Sequence, residues 1–513
     1  MEYDGGAAVD LAEGAMRRVE IRGRPILLAR VAGVCHAVGA VCPHAGGPLE
    51  QGVLRGDIVT CPWHKARFRV SGGELVDPPA VDALPRYPMR ERGGRLLVLE
   101  SEPPRPAVPG GEAVADRRCV VIAGGGAAGA MAAQTLRDEG FTGRVVMIDR
   151  EDLLPYDRTV LSKYALAGKR AGEKSPLQDS AFYAAHNIER VAATISRIDH
   201  AAHRIELGGG GSLAYDFALV AAGGTPRALD VPGSALPGVF LLRSAADAQA
   251  IADAAGHAHN VVIAGAGFIG MEAAACLRQM GLAVTVVAPE QVPFERQLGG
   301  RIGAMFRLVH ERNGVAFRLG DAIAAVEGTD RAQWVRLRSG ARLPADLVLA
   351  GLGVRPNTAM LTDLPLREDG GVAVDAQLRA ADDLYVAGDI AAFPVRGDRI
   401  RVEHWRVAQQ HGRLAARNML GAALAYDAVP YFWTTHFDQR LDYVGHAEEW
   451  DDLVVDGTLD TPDFIAWYVR AGLVRAVAGW GRDRRMAGVL NALQDQPDWT
   501  LADLRQATEH LDA

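Results

Sequence analysis

Lysine is almost missing from this chain. Only Lys65, Lys163, Lys169 and Lys174 occur in 513 residues, and arginine supplies the other positive charge. A lysine inside a motif therefore carries information. Lys plus Arg number 55 against 63 Asp plus Glu, for a net charge of −8. That balance argues against nucleic acid as the main partner. Cysteine is scarce too. Cys35, Cys42, Cys61, Cys119 and Cys276 form no disulfide framework, which fits a reducing cytoplasm. No run reaches the ~18 apolar residues of a membrane span. The start, MEYDGG, lacks the basic-then-apolar pattern of a secretory signal. What remains is ordinary globular protein, 49% hydrophobic and 23% charged. The length suggests about three domains.

Texture divides the chain. Residues 17–100 alternate short apolar runs with glycine turns, as an all-β domain would. The stretch SEPPRPAVPGGEAVAD, 101–116, is rich in proline and reads as a semi-rigid linker. From Cys119 strands and helices alternate, the pattern of a parallel α/β sheet. Two glycine motifs, at 124–129 and 265–270, each follow an apolar strand and suggest a repeated nucleotide fold. From about 429 aromatic strands and a helical tail predict a small α+β domain.

The first domain holds CPHAGGPL and CPWH, with Cys42 and His44 in one loop and Cys61 and His64 in the other. Three readings are open: a Cys2His2 zinc site, a Rieske [2Fe–2S] cluster, or four unrelated residues. Each loop supplies one Cys and one His, whereas zinc fingers usually group the two Cys and then the two His. A proline adjoins each ligand pair, and Gly46, Gly47 and Pro48 allow a tight loop. Together these features resemble the Rieske family over about 100 residues. In high-potential members each loop has an extra cysteine, and hydroxyls of Ser and Tyr bond the cluster. The matching positions here are Gly47, Trp63, Ala66 and Phe68. The resemblance thus implies a low-potential, ferredoxin-type cluster. Lys65 stands where the family usually has glycine, and such a cation could raise the potential or help dock a partner.

In the α/β region Gly124, Gly126 and Gly129 have the spacing for a tight turn, close approach to a pyrophosphate and a helix N-terminus aimed at it. The next strand ends at Asp149, at a suitable distance for a ribose-binding acid; the alternative is an ordinary loop acid. The second copy has Gly265, Gly267 and Gly270. There Ala288 occupies the expected acid position, with Glu290 two residues on and no arginine directly after the strand, which favours NADH over NADPH.

LPYDRTVLSK, LVAAGGTPRAL, LAGLGVRPNTAML and LYVAGDIAAF accompany the glycine motifs. The combination resembles two-dinucleotide-domain flavoproteins over about 118–450, in particular ferredoxin reductases of oxygenase systems and the apoptosis-inducing-factor group. The resemblance implies FAD on the first motif, with Arg158, Thr225, Arg227, Gly388, Asp389 and Trp405 around it, and NAD(P)H on the second, with Gly353 and Glu290. Trp405 is as readily a plain core residue. The resemblance also pairs Lys163 with Glu272 beside flavin N5, where a cation stabilises the reduced flavin. Relatives that reduce disulfides carry a Cys pair near the flavin. No Cys lies between 120 and 275, so no dithiol relay is available.

The expected architecture is a Rieske domain over 1–104, a linker over 105–117, a discontinuous FAD domain over 118–240 and 359–428, an NAD(P)H domain over 241–358, and a C-terminal reductase domain over 429–513. The expected function is electron flow from NADH through FAD to the chain's own [2Fe–2S] cluster and then to an external one-electron acceptor, an oxygenase or cytochrome among the candidates. The alternative is a slow, NADH-responsive redox sensor. Whether the chain is a monomer or a homodimer, and whether the Rieske domain is docked or mobile, stays open from sequence.

Overall fold

A computed structural model of the protein describes residues 2–99, 116–168 and 176–512. The linker expected over 105–117 lies, but for 116 and 117, outside the described residues, as do Lys169 and Lys174.

The N-terminal part is built from antiparallel sheets. Met16–Ile21, Arg24–Val31, Val34–Gly39 and Arg86–Tyr87 form one. Arg22-Gly23 and Ala32-Gly33 join its first three strands, with positive φ at both residues of each pair. That is the two-residue turn whose twist matches paired strands. Val53–Arg55, Ile58–Thr60, Arg67–Arg69 and Leu75–Asp77 form a second sheet. Its strands Ile58–Thr60 and Arg67–Arg69 flank the Cys61–His64 loop. A third sheet contains Glu2–Ala7, upstream of the expected first strand. EYDGGA has little strand propensity of its own, so its partner Arg95–Leu99 supplies the pairing, with Tyr3 opposite Val98 and Asp4 opposite Leu97.

Two parallel sheets follow. β1 (Cys119–Ala123) is central to a six-stranded sheet, and α1 (Ala127–Asp138) leaves it after the first glycine motif. Leu384–Val386 returns to pair with Phe217–Val220 of this sheet, after the second nucleotide fold has been completed. β2 (Asn260–Ala264) and α2 (Phe268–Gln279) start that second fold, a five-stranded parallel sheet. The strands are mostly apolar on both faces because helices cover one face of the second sheet and a three-stranded antiparallel sheet, Ile323–Glu327, Trp334–Leu337 and Arg342–Pro344, covers the other. α3 (Glu295–Arg312) packs here, and α4 (Trp405–Met419) lies against α1. A Cβ on Gly412 would meet the Ala128 carbonyl at 2.0 Å, so these two helices approach as closely as glycine permits. Last comes a five-stranded antiparallel sheet led by β3 (Tyr431–His436) and β4 (Gln439–Gly445), with helices Asp483–Asp495 and Leu501–Thr508.

The Rieske-like part is docked on the rest through buried polar groups. On α4, Arg406, Gln409, Gln410 and Arg413 follow i, i+3, i+4, i+7 spacing and so share one face. Arg406 pairs with Asp77 at 2.5 Å and donates to the Pro78 carbonyl at 2.6 Å. Gln409 reaches the Pro79 carbonyl, Gln410 the Asp77 carboxylate, and Arg413 the carbonyls of Leu75 and Val76. At a second anchor, Lys65 Nζ lies 2.5 Å from Asp442 and donates to the Pro62 and Trp63 carbonyls. Asp442 also accepts from Tyr431 and Arg440. Lys65 sits at φ +60°, the left-handed region that glycine occupies most easily. Its side chain is wholly buried. Burial pulls its ammonium below the ordinary range, and Asp442 opposes that pull. Lys65 is thus turned toward the C-terminal sheet of its own chain.

Asp442→Ala would leave a buried ammonium unpaired, a loss of about 3–5 kcal/mol for such a pair. Calorimetry of the variant should show the N-terminal domain melting ahead of the rest of the chain, where the parent melts as one unit. A single unshifted transition would exclude this anchor.

Candidate functional site

Cys42 and His44 sit in a loop closed by hydrogen bonds from Cys42 N–H to the Gly47 carbonyl and from Gly46 N–H to the Cys42 carbonyl, both 2.9 Å. The Cys61 loop is closed by Cys61 N–H to Ala66 at 2.8 Å. The two loops bring like with like. The Nδ1 atoms of His44 and His64 are 3.0 Å apart, and the two thiols hydrogen-bond to each other. Among the described residues no group of three or more His, Cys, Asp or Glu converges to hold a single ion. Two thiols on one side and two imidazoles on the other fit a binuclear cluster with a distinct ligand pair for each iron. A tetrahedral zinc site would draw all four to one point. Burial pushes both imidazoles below their usual range, the neutral form that ligation needs. Cys61 is pulled down to about 7, first by its bond to Cys42 and then by the Trp63 and His64 amides. Amides of His44 and Ala45 point at Cys42 in the same way, although its bond to Cys61 and its burial push that thiol up.

The glycine motifs build two phosphate cradles with the same division of labour. Gly124 and Gly265 have φ of 119° and 100°, and a Cβ on either would meet a carbonyl at 2.3–2.4 Å. Gly129 and Gly270 press against the carbonyls of Gly124 and Gly265. Gly126 and Gly267 face open space, where a side chain would fill the room a pyrophosphate needs. Cavities of about 240 and 460 Å³ run over the first motif, and one of about 490 Å³ runs over the second. These residues fit two dinucleotides.

The predicted site residues separate as follows. Arg158, Lys163, Thr225, Gly388, Asp389 and Trp405 all line the first pair of cavities. The Trp405 Nε1 is buried without a partner, a donor available to a ligand. Asp149 lines this space too, but its oxygens already accept from the Gly125 and Glu151 amides at 2.6 and 3.0 Å. Arg227 does not line any of these cavities. It is exposed, and its contribution is a backbone bond to the Gly353 carbonyl. Arg243 takes the inward position instead, 2.9 Å from Asp389. Nothing in its sequence setting, FLLRSAADA, signals this. Gly353 and Glu290 line the second cavity with Glu295, and Arg296 enters it as well, an arginine too far from the strand end to be counted there.

Lys163 and Glu272, 109 residues apart in sequence, meet at 2.9 Å on the wall of the 240 Å³ cavity. Lys163 also donates to the Thr159 carbonyl, and Ser162 donates to the same Glu272 oxygen. The other Glu272 oxygen accepts from Thr434 on β3 at 2.7 Å.

Sequence reasoning missed Trp433. Its ring lies 4.4 Å from that of His64 and 5.8 Å from that of His44, and it also lines the 240 Å³ cavity. The signal was present in the aromatic run YFW, but a β-strand alternates its faces, and only pairing shows which ring points to the histidines. Asp157 was missed too. It stands 3.9 Å from His44 Nε2.

Residues 118–412 match the pyridine nucleotide-disulphide oxidoreductase family, 2–88 the Rieske [2Fe-2S] domain, and 431–513 the reductase C-terminal domain. The chain is 34% identical to human apoptosis-inducing factor 3 over 502 residues, 94% of this chain and 82% of that one. Among solved structures it resembles the ferredoxin reductase for the CYP199A2 system from Rhodopseudomonas palustris, at 31% identity and a TM-score of 0.73, over 76% of this chain and all of that one. It also resembles the covalent putidaredoxin reductase–putidaredoxin complex, at 28% identity and a TM-score of 0.70, over 77% and 99% of the two chains.

Gly47 and Trp63 leave no disulfide across the loops, and Ala66 and Phe68 are fully buried without hydroxyls. Fewer hydrogen bonds reach the cluster sulfurs, which disfavours the reduced form. A redox titration should place the midpoint below zero against hydrogen, toward the about −150 mV end of the Rieske range; a value well above zero contradicts this reading.

Proposed function

This chain belongs to the pyridine nucleotide-disulphide oxidoreductase family and carries a Rieske [2Fe-2S] domain, and from that premise we infer how its residues serve an NAD(P)H-dependent flavoprotein oxidoreductase that passes electrons to its own cluster and on to an external one-electron acceptor. The observation that carries the reading is Trp433, which touches the histidine pair on one side and lines the flavin cavity on the other. When bound, the flavin takes hydride from the nicotinamide and yields electrons singly, and the cluster accepts them one at a time. One NADH yields NAD⁺, a proton and two electrons, which reduce two equivalents of a one-electron acceptor.

The chain's residues have distinct parts in this. Gly126 and Gly267 leave room for the pyrophosphates at the N-termini of α1 and α2. Lys163 brings its ammonium to the wall of the 240 Å³ cavity, where it would stabilise the negative charge of a reduced flavin, and Glu272 fixes that ammonium in place. Arg243 and Asp389 pair across the cavity wall, which supports Asp389 in holding the flavin ribitol. Glu290 and Glu295 in the second cavity favour NADH, since acids there repel a 2′-phosphate, with Arg296 as the opposing charge next to them in sequence. The proposed acceptor is a protein such as an oxygenase component or a cytochrome, met in the cytoplasm.

Lys163→Ala should slow flavin bleaching by NADH by about tenfold to a thousandfold. Unchanged bleaching would remove Lys163 from the hydride step. Trp433→Ala should leave bleaching intact while the Rieske EPR signal forms slowly and cytochrome c reduction falls. In the parent protein, anaerobic NADH should bleach the flavin and then raise that EPR signal. Bleaching with no iron signal, or turnover too slow to support cytochrome c reduction, would overturn the electron-transfer reading.

A further inference from the structure

Glu272 is the near end of a buried polar chain that runs away from the flavin cavity. Thr434 Oγ1 lies 2.7 Å from Glu272 Oε1, His436 Nε2 lies 2.8 Å from Thr434 Oγ1, and His310 Nε2 lies 3.2 Å from His436 Nδ1. Thr434 and His436 are both on β3, and His310 is on α3. All three are fully buried. We propose that Thr434, His436 and His310 are positioning residues for Glu272, forming a one-way hydrogen-bond chain that keeps one of its oxygens occupied so that the other stays on Lys163.

The direction follows from what each group can donate. A carboxylate only accepts, so the single Thr434 proton must go to Glu272. Thr434 can then only accept from His436, which therefore carries its proton on Nε2. His436 Nδ1 is left as an acceptor, so His310 donates from Nε2 and its own Nδ1 is bare. His310 Nδ1 is buried without a hydrogen-bond partner, the place where an acceptor-only nitrogen is tolerated and an N–H would be costly. The Met271 carbonyl, next to Glu272 on α2, also faces the His436 ring. Neutral rings are needed for this order. Burial, followed by the nearby Lys163 charge, pushes His436 down to about 3, and burial holds His310 well below its usual range. Phe294, Phe306 and Phe437 surround the two imidazoles and exclude water.

This inference rests on the reading that the Lys163–Glu272 pair acts at hydride transfer. The test uses the FAD- and cluster-loaded protein with ¹⁵N-histidine labelling. At neutral pH both His436 and His310 should show the neutral Nε2–H tautomer, their signals assigned by loss in His436→Gln and His310→Gln. Thr434→Val, which keeps the shape and removes the hydroxyl, should slow single-turnover flavin reduction by about tenfold while the NADH Kd stays within about twofold, the loss expected when a charged acceptor loses one donor. Thr434→Ser should restore the rate. An Nδ1–H tautomer at His436, a Thr434→Val rate equal to the parent, or no rescue by serine overturns the proposal. If Thr434→Val fails to fold, judged by FAD content and the Rieske EPR signal, the tautomers of the parent protein still decide. If Lys163→Ala bleaches at the parent rate, the underlying reading fails instead.

Discussion

The arrangement depends on a buried polar seam between the cluster domain and the reductase. Two ionic anchors hold it, Arg406 with Asp77 and Lys65 with Asp442, each at 2.5 Å. Burying a charge is costly unless its partner and hydrogen bonds are all in place. The carboxylates are well supplied: Asp442 gathers Lys65, Tyr431 and Arg440, and Asp77 gathers Arg406 and Gln410, while Arg406 Nη1 and Gln409 Oε1 stay buried without a partner. Such a seam has one satisfactory register. A slide of the Rieske domain would strand several charges at once, whereas an apolar interface of the same size would tolerate many small shifts. A histidine pair must face one aromatic ring, so a single register matters more than raw affinity.

The seam also explains why one helix serves two sites. α4 begins at Trp405, which lines the flavin cavity, and its next turns present Arg406, Gln409, Gln410 and Arg413 to the Rieske segment 75–79. β3 does the same by alternation. Tyr431 reaches Asp442 and the Trp63 carbonyl, Trp433 stands against the histidines, and Thr434 holds Glu272. The surroundings of the histidine pair, the cavity wall at Glu272 and the domain interface therefore share rigid elements. Covalent tethering raises the local concentration of the cluster domain, but here its orientation is set by these two elements.

How much of this could be read in advance depends on the range over which each interaction acts. The Rieske loops and both glycine motifs were legible because their chemistry is local: ligand, proline and glycine lie within a few residues. Lys163 and Glu272 were legible through motifs, even though 109 residues separate them. Arg243 was not, since a lone arginine at a strand end carries no sign of which wall it joins, and the adjacent GGTPR motif pointed to Arg227, which faces outward. Trp433 and the α4 clasp were hidden for a related reason. A polar stripe of helical period reads as a solvated face, and only the docked domain reveals that Arg406 and Gln409 are 1% and 0% exposed. The strand Glu2–Ala7 was invisible because its pairing partner lies 88 or more residues later, as with Ala7 opposite Arg95.

The rarity of lysine sharpens the point about Lys65. Arginine supplies most of the positive charge, yet lysine appears at a wholly buried ion pair with Asp442 and at a part-buried one with Glu272. A compact ammonium fits where a planar guanidinium would need room for five donors. At position 65 the backbone is left-handed, so the residue pays a conformational cost that glycine avoids. A freely dissociating ferredoxin gains nothing from that cost, because its histidine edge must separate from the reductase after each electron. A domain joined to its reductase has no such need, and a cation in that turn gains a permanent partner in Asp442. Lys65 and Asp442 are then meaningful only as a pair: a glycine at 65 would leave the acid with Tyr431 and Arg440 alone, and a neutral residue at 442 would leave a buried charge. The substitution that looks out of place in the cluster loop is the one that makes sense of the acid 377 residues away.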